Sequence, residues 1–190
     1  MIKEKIVLAS QSPRRKELIS LIADNVLIRP ADCDETLPEG TSPRDAVEYL
    51  SKIKNNAARE ISQADEIVVS ADTVVAVDDI ILGKPVDKSD ARYMISLLQG
   101  RVHSVYTGVT ISTGDRVVTF SEKTDVEFNP MTESEIEEYI SLSEPYDKAG
   151  SYGIQGKACV YIKGLNGDYF NVVGLPVSRL YNELKKLINN

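Results

Sequence analysis

The chain has 190 residues, of which 42% are hydrophobic and 27% charged, proportions typical of a folded globular protein with one sizeable domain. Acidic residues outnumber basic ones 29 to 22, giving a net charge of −7, which disfavours non-specific binding to nucleic acid or to an anionic membrane. The sequence starts without a signal-peptide pattern, and no apolar run reaches transmembrane length. Cys33 and Cys159 fit no metal or redox spacing, so we expect a cytoplasmic protein with buried, reduced thiols.

The N-terminal segment predicts a strand, a tight loop and a helix. Residues 6–9 are a short apolar run typical of a strand. Ser12 is a good N-cap, and Pro13 suits the first helical position. An apolar stripe continues the helix through Leu18, Ile19 and Ile22.

A second strand and helix follow. Residues 26–28 predict a strand that leads into the acidic loop 32–35, and a helix is predicted from Ser42 to about Ile61. One lysine interrupts the apolar stripe of this helix, which reads Val47, Leu50, Lys54, Ala57 and Ile61.

Residues 67–79 form the most β-branched and apolar run of the chain, with Asp72 in its middle. Such a run is typical of a strand buried on both faces, where an ionised Asp is costly unless it is paired, hydrogen-bonded or bound to a metal. One interpretation ends the strand at Ser70 and places Asp72 in a hydrated turn before a second strand. The other places Asp72 in a cleft at an edge or end of the sheet.

The second half of the chain is richer in strands. We expect a helix over 88–98, then a hairpin formed by 102–112 and 116–128. Thr132 and Glu135 make a capping box for a helix that reaches about Leu142.

The C-terminal part of the chain predicts a second hairpin and a last helix. The second hairpin is expected from 159–163 and 168–172, and the helix follows Pro176. Early strand–helix alternation followed by hairpins indicates a mixed α/β sheet.

Arg14 and Arg15 lie in the first turn of the first predicted helix, where the helix dipole disfavours cations. Backbone N–H groups at the helix start, two guanidinium groups and the hydroxyls of Ser10 and Ser12 form a potential anion site. The alternative is a pair of solvated surface arginines.

The remaining candidates are Lys54, Lys84, Glu35 and Asp72. Cations for phosphates, together with carboxylates for a hard divalent ion, are typical of phosphoryl chemistry on a nucleotide or a similar polyphosphate. Neither a P-loop nor a G-x-G-x-x-G motif occurs. Zinc or serine–histidine chemistry would rest on His103 alone and is set aside.

Several motifs in order make the sequence similar to the Maf family of nucleoside triphosphate pyrophosphatases from Leu8 to Pro176. They are LASQSPRR at 8–15, SADTVV at 70–75, GKP at 83–85, DKAGSYGIQG at 147–156, GDY at 167–169 and VGLP at 173–176. The family has small residues after the lysine at position 54, whereas this chain has Asn55 and Asn56.

The resemblance implies an enzyme that cleaves the α–β phosphoanhydride of a nucleoside triphosphate with water. The version of the motif at 152–155 resembles the subgroup that acts on dTTP and UTP. The family resemblance further implies a single domain over 1–190 that assembles as a homodimer. The implied fold is an elongated α/β fold, in which a mixed, twisted sheet is flanked by helices and two lobes surround a central cleft.

The resemblance also implies roles for nine residues. Asp72 matches the catalytic base and, with Glu35, the site of a divalent cation, Mg²⁺ or Mn²⁺. Substrate-determining positions are matched by Arg14, Thr73 and Gln155, and other cleft positions by Ser10, Arg15, Lys54 and Lys84. The Gln155 amide suits the O4 acceptor and the N3–H donor of uracil or thymine.

Two alternatives to this activity stay open at the level of the sequence. One is a non-catalytic, nucleotide-binding regulator of cell division or septation. The other is a pyrophosphatase for purine nucleotides such as ITP.

Overall fold

The computed structural model describes residues 1–30 and 32–189, so Ala31 and the last residue of the expected domain, Asn190, lie outside the described residues. Within this range the strands are β1 (Ile6–Leu8), β2 (Val26–Ile28), β3 (Ile67–Val77), β4 (Ile80–Leu82), β5 (Val102–Thr113), β6 (Arg116–Phe128) and β7 (Ile162–Asn166). The helices are α1 (Pro13–Ser20), α2 (Pro43–Glu60), α3 (Lys88–Leu98), α4 (Glu133–Ile140), α5 (Tyr169–Val173) and α6 (Val177–Asn189). Short 3₁₀ turns cover Glu144–Asp147, Ala149–Ser151 and Lys157–Tyr161.

The described strands form one seven-stranded mixed sheet. Its order is β2-β1-β3-β5-β6-β7, and β4 pairs with the end of β3. β1 runs parallel to β2 and β3, whereas the β3–β5, β5–β6 and β6–β7 pairs are antiparallel. The mixed α/β sheet and the long β5–β6 hairpin predicted from the sequence are confirmed.

β3 passes through Asp72 without interruption. Residues 67–69 pair with β1, and residues 68–76 pair with β5. The chain turns only at Asp78 and Asp79, whose φ angles are 49° and 63°, values that Asp tolerates better than most residues. The interpretation that placed Asp72 in a hydrated turn is therefore wrong, and its backbone lies in a central strand.

Two large hydrophobic clusters pack on one face of the sheet, one toward each end of β3 and β5. We name them the α6 cluster, which joins β1 and the first part of β3 to α1, α5 and α6, and the α3 cluster, which joins the last part of β3 to α3 and α4. Helix α2 lies on the other face of the sheet, where Ala58 packs against Val7 and Val68. Among the described residues, no helix is both long and apolar enough to cross a membrane.

Three expectations were wrong. Residues 168–172 do not form a hairpin strand, because the Asp168 side chain accepts a hydrogen bond from the Phe170 N–H and starts α5. Ile61 is 58% exposed, since it lies at the C-cap of α2 rather than on its inward face. Cys159 is exposed and Cys33 only partly buried, because the loops that carry them lie at the surface.

Candidate active site

A cleft opens where the N-terminus of α1, the middle of β3, α2 and the segment 147–156 meet. All nine residues selected from the sequence line it: Ser10, Arg14, Arg15, Glu35, Lys54, Asp72, Thr73, Lys84 and Gln155. Residues separated by up to 145 positions along the chain are thus brought to one surface. The fold, rather than local sequence, makes the site.

Lys54 joins the two carboxylates of the cleft. Its Nζ lies 2.5 Å from Asp72 Oδ1 and 2.8 Å from Glu35 Oε2. The Lys54 and Asp72 side chains are only 17% and 14% exposed, whereas Glu35 is 54% exposed. Burial by itself lowers the pKa of Lys54, but Asp72 and then Glu35 outweigh burial and raise this pKa above its ordinary value. The ammonium group is therefore charged, and it compensates the burial of Asp72.

Close packing of α2 against the sheet places Lys54 there. Gly108 of β5 is paired with Asp72, and a Cβ at Gly108 would lie 2.2 Å from the carbonyl oxygen of Val47 in α2. Only glycine permits this approach. Asn55 is fully buried, and its Nδ2 donates to the carbonyls of Val68 and Thr110 at 3.1 and 3.0 Å. Asn55, which stands where the family has a small residue, therefore anchors α2 to β3 and β5.

Arg15 is a partly buried structural cation. Its Nε donates to Gly174 O at 2.9 Å, its Nη2 to Thr73 Oγ1 at 2.9 Å and its Nη1 to Ser10 Oγ at 3.4 Å. Burial is the main cause that lowers its pKa, and Asp72 opposes that effect. The interpretation of two solvated surface arginines is therefore wrong for Arg15.

Arg14 lies nearer the mouth of the cleft. Its side chain is 32% exposed, and its Nη1 lies 3.3 Å from Asp147 Oδ2 in the 3₁₀ turn on the opposite wall. An exposed pair of this kind contributes little to stability. Arg14 is therefore accessible to an anion that enters the cleft.

Gln155 and Lys84 are exposed at the edge of the cleft. The Gln155 segment is held from below by Glu144, whose carboxylate accepts hydrogen bonds from Lys157 N at 2.7 Å and Tyr139 Oη at 3.0 Å. A Cβ at Gly156 would lie 2.2 Å from Glu144 Oε1. The segment therefore has a fixed support although the Gln155 side chain itself is free to meet a ligand.

Sequence reasoning missed two charged residues of the cleft, Asp147 and Lys148. The Lys148 side chain is only 16% exposed, and its Nζ lies 2.5 Å from Asp147 Oδ1 and 2.8 Å from Glu144 O. Both residues stand in the 147–156 motif, so their signal was present there.

The donor set fits a divalent cation that is shared with a ligand. Within residues 1–30 and 32–189, no group of three or more His, Cys, Asp and Glu side chains is arranged around one metal position. Asp72 and Glu35 nevertheless converge on one cationic group, the Lys54 ammonium. Mg²⁺ commonly takes one or two carboxylates and completes its shell with water and phosphate oxygens. The two carboxylates therefore suit such an ion only in the presence of a phosphate ligand.

This chain is similar to known proteins over nearly its whole length. The family model described as "Maf-like protein" matches residues 5–187. A protein of Bacillus cereus (strain Q1) named dTTP/UTP pyrophosphatase is 50% identical over 96% of this chain and 95% of its own length. A protein of Bacillus anthracis (strain CDC 684 / NRRL 3495) with the same name is 49% identical over the same shares.

A solved structure shows the same fold at low sequence identity. The structure of the Staphylococcus aureus Ham1 protein aligns with 96% of this chain and 99% of its own, with a TM-score of 0.54 and 12% identity. The family match covers nearly the whole chain, and the relatives match it over nearly their whole length. This chain therefore belongs to the family of Maf-like proteins.

Proposed function

We propose that this protein hydrolyses the α–β phosphoanhydride of UTP and dTTP, releasing the nucleoside monophosphate and pyrophosphate. The observation that carries the proposal is the convergence of Asp72, Glu35 and Lys54 in a cleft whose walls also carry Arg14 and Lys84. The relatives named dTTP/UTP pyrophosphatase support the choice of pyrimidine nucleotides.

Asp72 is the proposed general base. A water molecule attacks the α-phosphorus and loses a proton to the carboxylate, while the bond from the α-phosphorus to the bridging oxygen breaks and its electron pair leaves with pyrophosphate. Lys54 donates to Oδ1 of Asp72, which leaves Oδ2 available to accept the proton. The rigid central strand β3 fixes this carboxylate, and such positioning supplies part of the rate.

The cations of the cleft are proposed to bind the triphosphate. Arg14 is accessible and can exchange Asp147 for a phosphate oxygen, because a bidentate guanidinium–phosphate contact is stronger than an exposed ion pair. Lys84 supplies a second charge at the edge of the cleft. The net charge of −7 makes this local cluster necessary for an anionic substrate.

The pyrimidine base is proposed to meet Gln155. Its amide offers one acceptor and two donors, which matches the imide edge of uracil and thymine. Support for this role comes from the exposed position of Gln155 above the segment anchored by Glu144.

Asp72 and Glu35 are the proposed ligands of a Mg²⁺ or Mn²⁺ ion. When bound, such an ion offsets negative charge that develops on the leaving pyrophosphate. Lys54 orients both carboxylates through its two ion pairs.

Product analysis over a panel of nucleotides with Mg²⁺ tests the proposal. We expect UTP and dTTP to give monophosphate and pyrophosphate in equal amounts. Release of orthophosphate would overturn the position of cleavage. Faster turnover of ITP would instead support the purine alternative, and tight UTP binding without any product would support a non-catalytic regulator of cell division.

A homodimer, a single domain over 1–190 and a cytoplasmic location are also proposed. The homodimer and the single domain are supported by the family resemblance. The absence of an apolar spanning helix among the described residues is compatible with the proposed location. Sedimentation equilibrium measures the assembly directly, and a monomer at micromolar concentration would contradict the dimer.

A further inference from the structure

A row of hydrogen bonds runs from the cleft into the core and passes through Thr73, the residue that follows Asp72 in β3. Arg15 Nη2 donates to Thr73 Oγ1 at 2.9 Å, Thr73 Oγ1 lies 2.9 Å from Thr107 Oγ1, and Thr107 Oγ1 donates to the Asn171 carbonyl at 3.0 Å. Thr73 and Thr107 are direct partners in the β3–β5 ladder, so their side chains lie on the same face of the sheet. Sequence patterns gave no indication of Thr107 or Asn171.

The chemistry of the two ends gives this row a direction. An arginine only donates and a carbonyl only accepts, while each threonine hydroxyl has a single proton. Thr107 is fully buried, and its proton meets the Asn171 carbonyl, so Thr107 accepts the proton of Thr73. In this arrangement both hydroxyl protons have an internal acceptor, and successive bonds in one direction strengthen one another.

The acceptor end of the row is fixed. Asn171 is fully buried, and its Nδ2 donates to Val105 O and to Thr124 Oγ1, both at 3.0 Å. The Asn171 carbonyl also accepts the Gly174 N–H at 3.0 Å, which ties it to the turn that receives the Arg15 Nε hydrogen bond. The carbonyl therefore cannot rotate away from Thr107 without loss of several buried hydrogen bonds.

We propose that Thr107 is a positioning residue that makes Thr73 a hydrogen-bond acceptor toward the substrate. Thr73 donates inward and accepts from Arg15, which leaves one oxygen lone pair for the cleft. Ionised phosphate oxygens only accept, so Thr73 does not bind the triphosphate. Its partner is a hydrogen-bond donor of the nucleotide, a ribose hydroxyl, because the N3–H of the base is already assigned to Gln155. This inference rests on the proposed function and adds that, in the contact between Thr73 and the nucleotide, Thr73 is the acceptor and the nucleotide is the donor.

The test compares UTP with two analogues that each lack one ribose donor: dUTP lacks the 2′-hydroxyl, and 3′-deoxy-UTP lacks the 3′-hydroxyl. For the wild type we expect kcat/KM to fall about 5- to 150-fold with one analogue, because a substrate that leaves a buried acceptor unpaired loses this much. The analogue that loses activity identifies the donor. Similar kcat/KM values for all three nucleotides would overturn the proposal.

Thr107→Val frees the Thr73 proton, so Thr73 can then donate as well as accept. We expect the ratio of kcat/KM between UTP and the discriminated analogue to fall in Thr107→Val, because Thr73 is then no longer held as an acceptor, and to stay at the wild-type value in Thr107→Ser. A ratio is unaffected by the fraction of folded enzyme, so a merely structural role of Thr107 would leave it unchanged. An unchanged ratio in Thr107→Val contradicts the proposal.

If Thr107→Val does not fold, the partly exposed Thr73 carries the test. Thr73→Val should abolish the discrimination and Thr73→Ser should keep it, whereas discrimination retained in Thr73→Val overturns the acceptor role. These outcomes differ from failure of the proposed function, in which the wild type releases no pyrophosphate from UTP at all.

Discussion

Asp72 and Lys54 form an ion pair in which each side chain depends on the other. Both are largely buried, and the Nζ–Oδ1 distance is 2.5 Å. Removal of one partner from a buried pair leaves an uncompensated charge and costs far more than the pair contributes by itself. Asp72→Asn keeps the shape of the side chain and an acceptor oxygen for Lys54, and Glu35 still pairs with that ammonium group. This substitution therefore separates catalysis from structure better than a truncation does.

Asp72→Asn should lower kcat by about 100- to 10,000-fold, because an amide cannot accept the proton of the attacking water. Binding of UTP should change little, since Arg14 and Lys84 remain. Pyrophosphate release measures kcat, and calorimetry with UTP and Ca²⁺ measures affinity.

Asp79→Asn is the matched control for Asp72→Asn. Asp79 is an exposed carboxylate in the turn after the same strand, outside the cleft, and Asn tolerates its positive φ. Its kcat should equal that of the wild type. Wild-type turnover in Asp72→Asn would remove Asp72 from the role of base.

His103 links stability to pH. Its Nε2 lies 2.7 Å from Tyr152 Oη, its ring packs against Phe128 and Tyr152, and burial lowers its pKa to about 4, with Asp125 opposing the effect. The folded state keeps this imidazole neutral, while the unfolded chain binds a proton below about pH 6.5. The contribution of the neutral His103 to the free energy of unfolding is therefore fully present above pH 6.5, and it is lost as the pH falls from 6.5 towards 4.

The free energy of unfolding should fall by about 2 kcal/mol between pH 7.5 and 5 because of His103. Urea titrations at the two pH values measure this change. In His103→Gln the pH-dependent loss should disappear, even if the variant is less stable at both values. An equal loss in the wild type and the variant would assign it to other groups.

The types of the site residues could be predicted from the sequence, but most of their partners could not. Cations at an unfavourable helix end, a lysine in an apolar stripe and an Asp in an apolar run each broke a local rule. The pairing of Lys54 with both Asp72 and Glu35 depends on how α2 packs on the sheet. Thr107 broke no local rule, because threonine is common in strands.

At the scale of elements, the contact between α2 and β5 at Gly108 determines where Lys54 lies. A methyl group added there would meet the Val47 carbonyl at 2.2 Å and Glu48 N at 2.8 Å. Backbone atoms in a helix cannot rotate aside as side chains can. The whole of α2 must then move outward, and Lys54 moves with it.

Gly108→Ala should therefore destabilise the protein by about 3 kcal/mol or more, at or above the upper end for overpacked cores, and lower kcat/KM for UTP in the folded fraction. Urea unfolding and steady-state kinetics measure the two effects. Gly164→Ala on the exposed edge strand β7 is the control, because its new methyl group meets open space. Equal stability of the two variants would show that α2 does not need this close approach.

Long, apolar or periodic elements were predictable, and so were the short strands β1 and β2, but α5 and the pairing of β7 were not. β3, the β5–β6 hairpin and α3 follow from patterns of ten or more residues. The five residues of α5 are too few to show a helical period. β7 pairs with the distant strand β6 rather than with the next segment, so an apparent turn at Asn166 and Gly167 suggested the wrong hairpin.

At the scale of the whole molecule, two hydrophobic clusters share the same strands. β3 contributes Val69 to the α6 cluster and Val75 to the α3 cluster, and the unbroken β3–β5 ladder spans both. The cleft lies between the clusters, so relative motion of the two parts would bend these strands. Because the strands are shared, we expect a single cooperative unit, although each cluster has the size of a small core.

Unfolding should therefore be one transition that involves both clusters. The chain has no Trp, and β6 supplies a buried Phe to each cluster, Phe120 to the α6 cluster and Phe128 to the α3 cluster. In Phe120→Trp and in Phe128→Trp, the urea midpoint from Trp fluorescence should coincide with the midpoint from far-UV circular dichroism. Each variant is its own reference, so any change in stability caused by the larger ring cancels. If fluorescence precedes circular dichroism in one variant and follows it in the other, the two parts unfold separately, and the shared strands do not couple the two walls of the cleft.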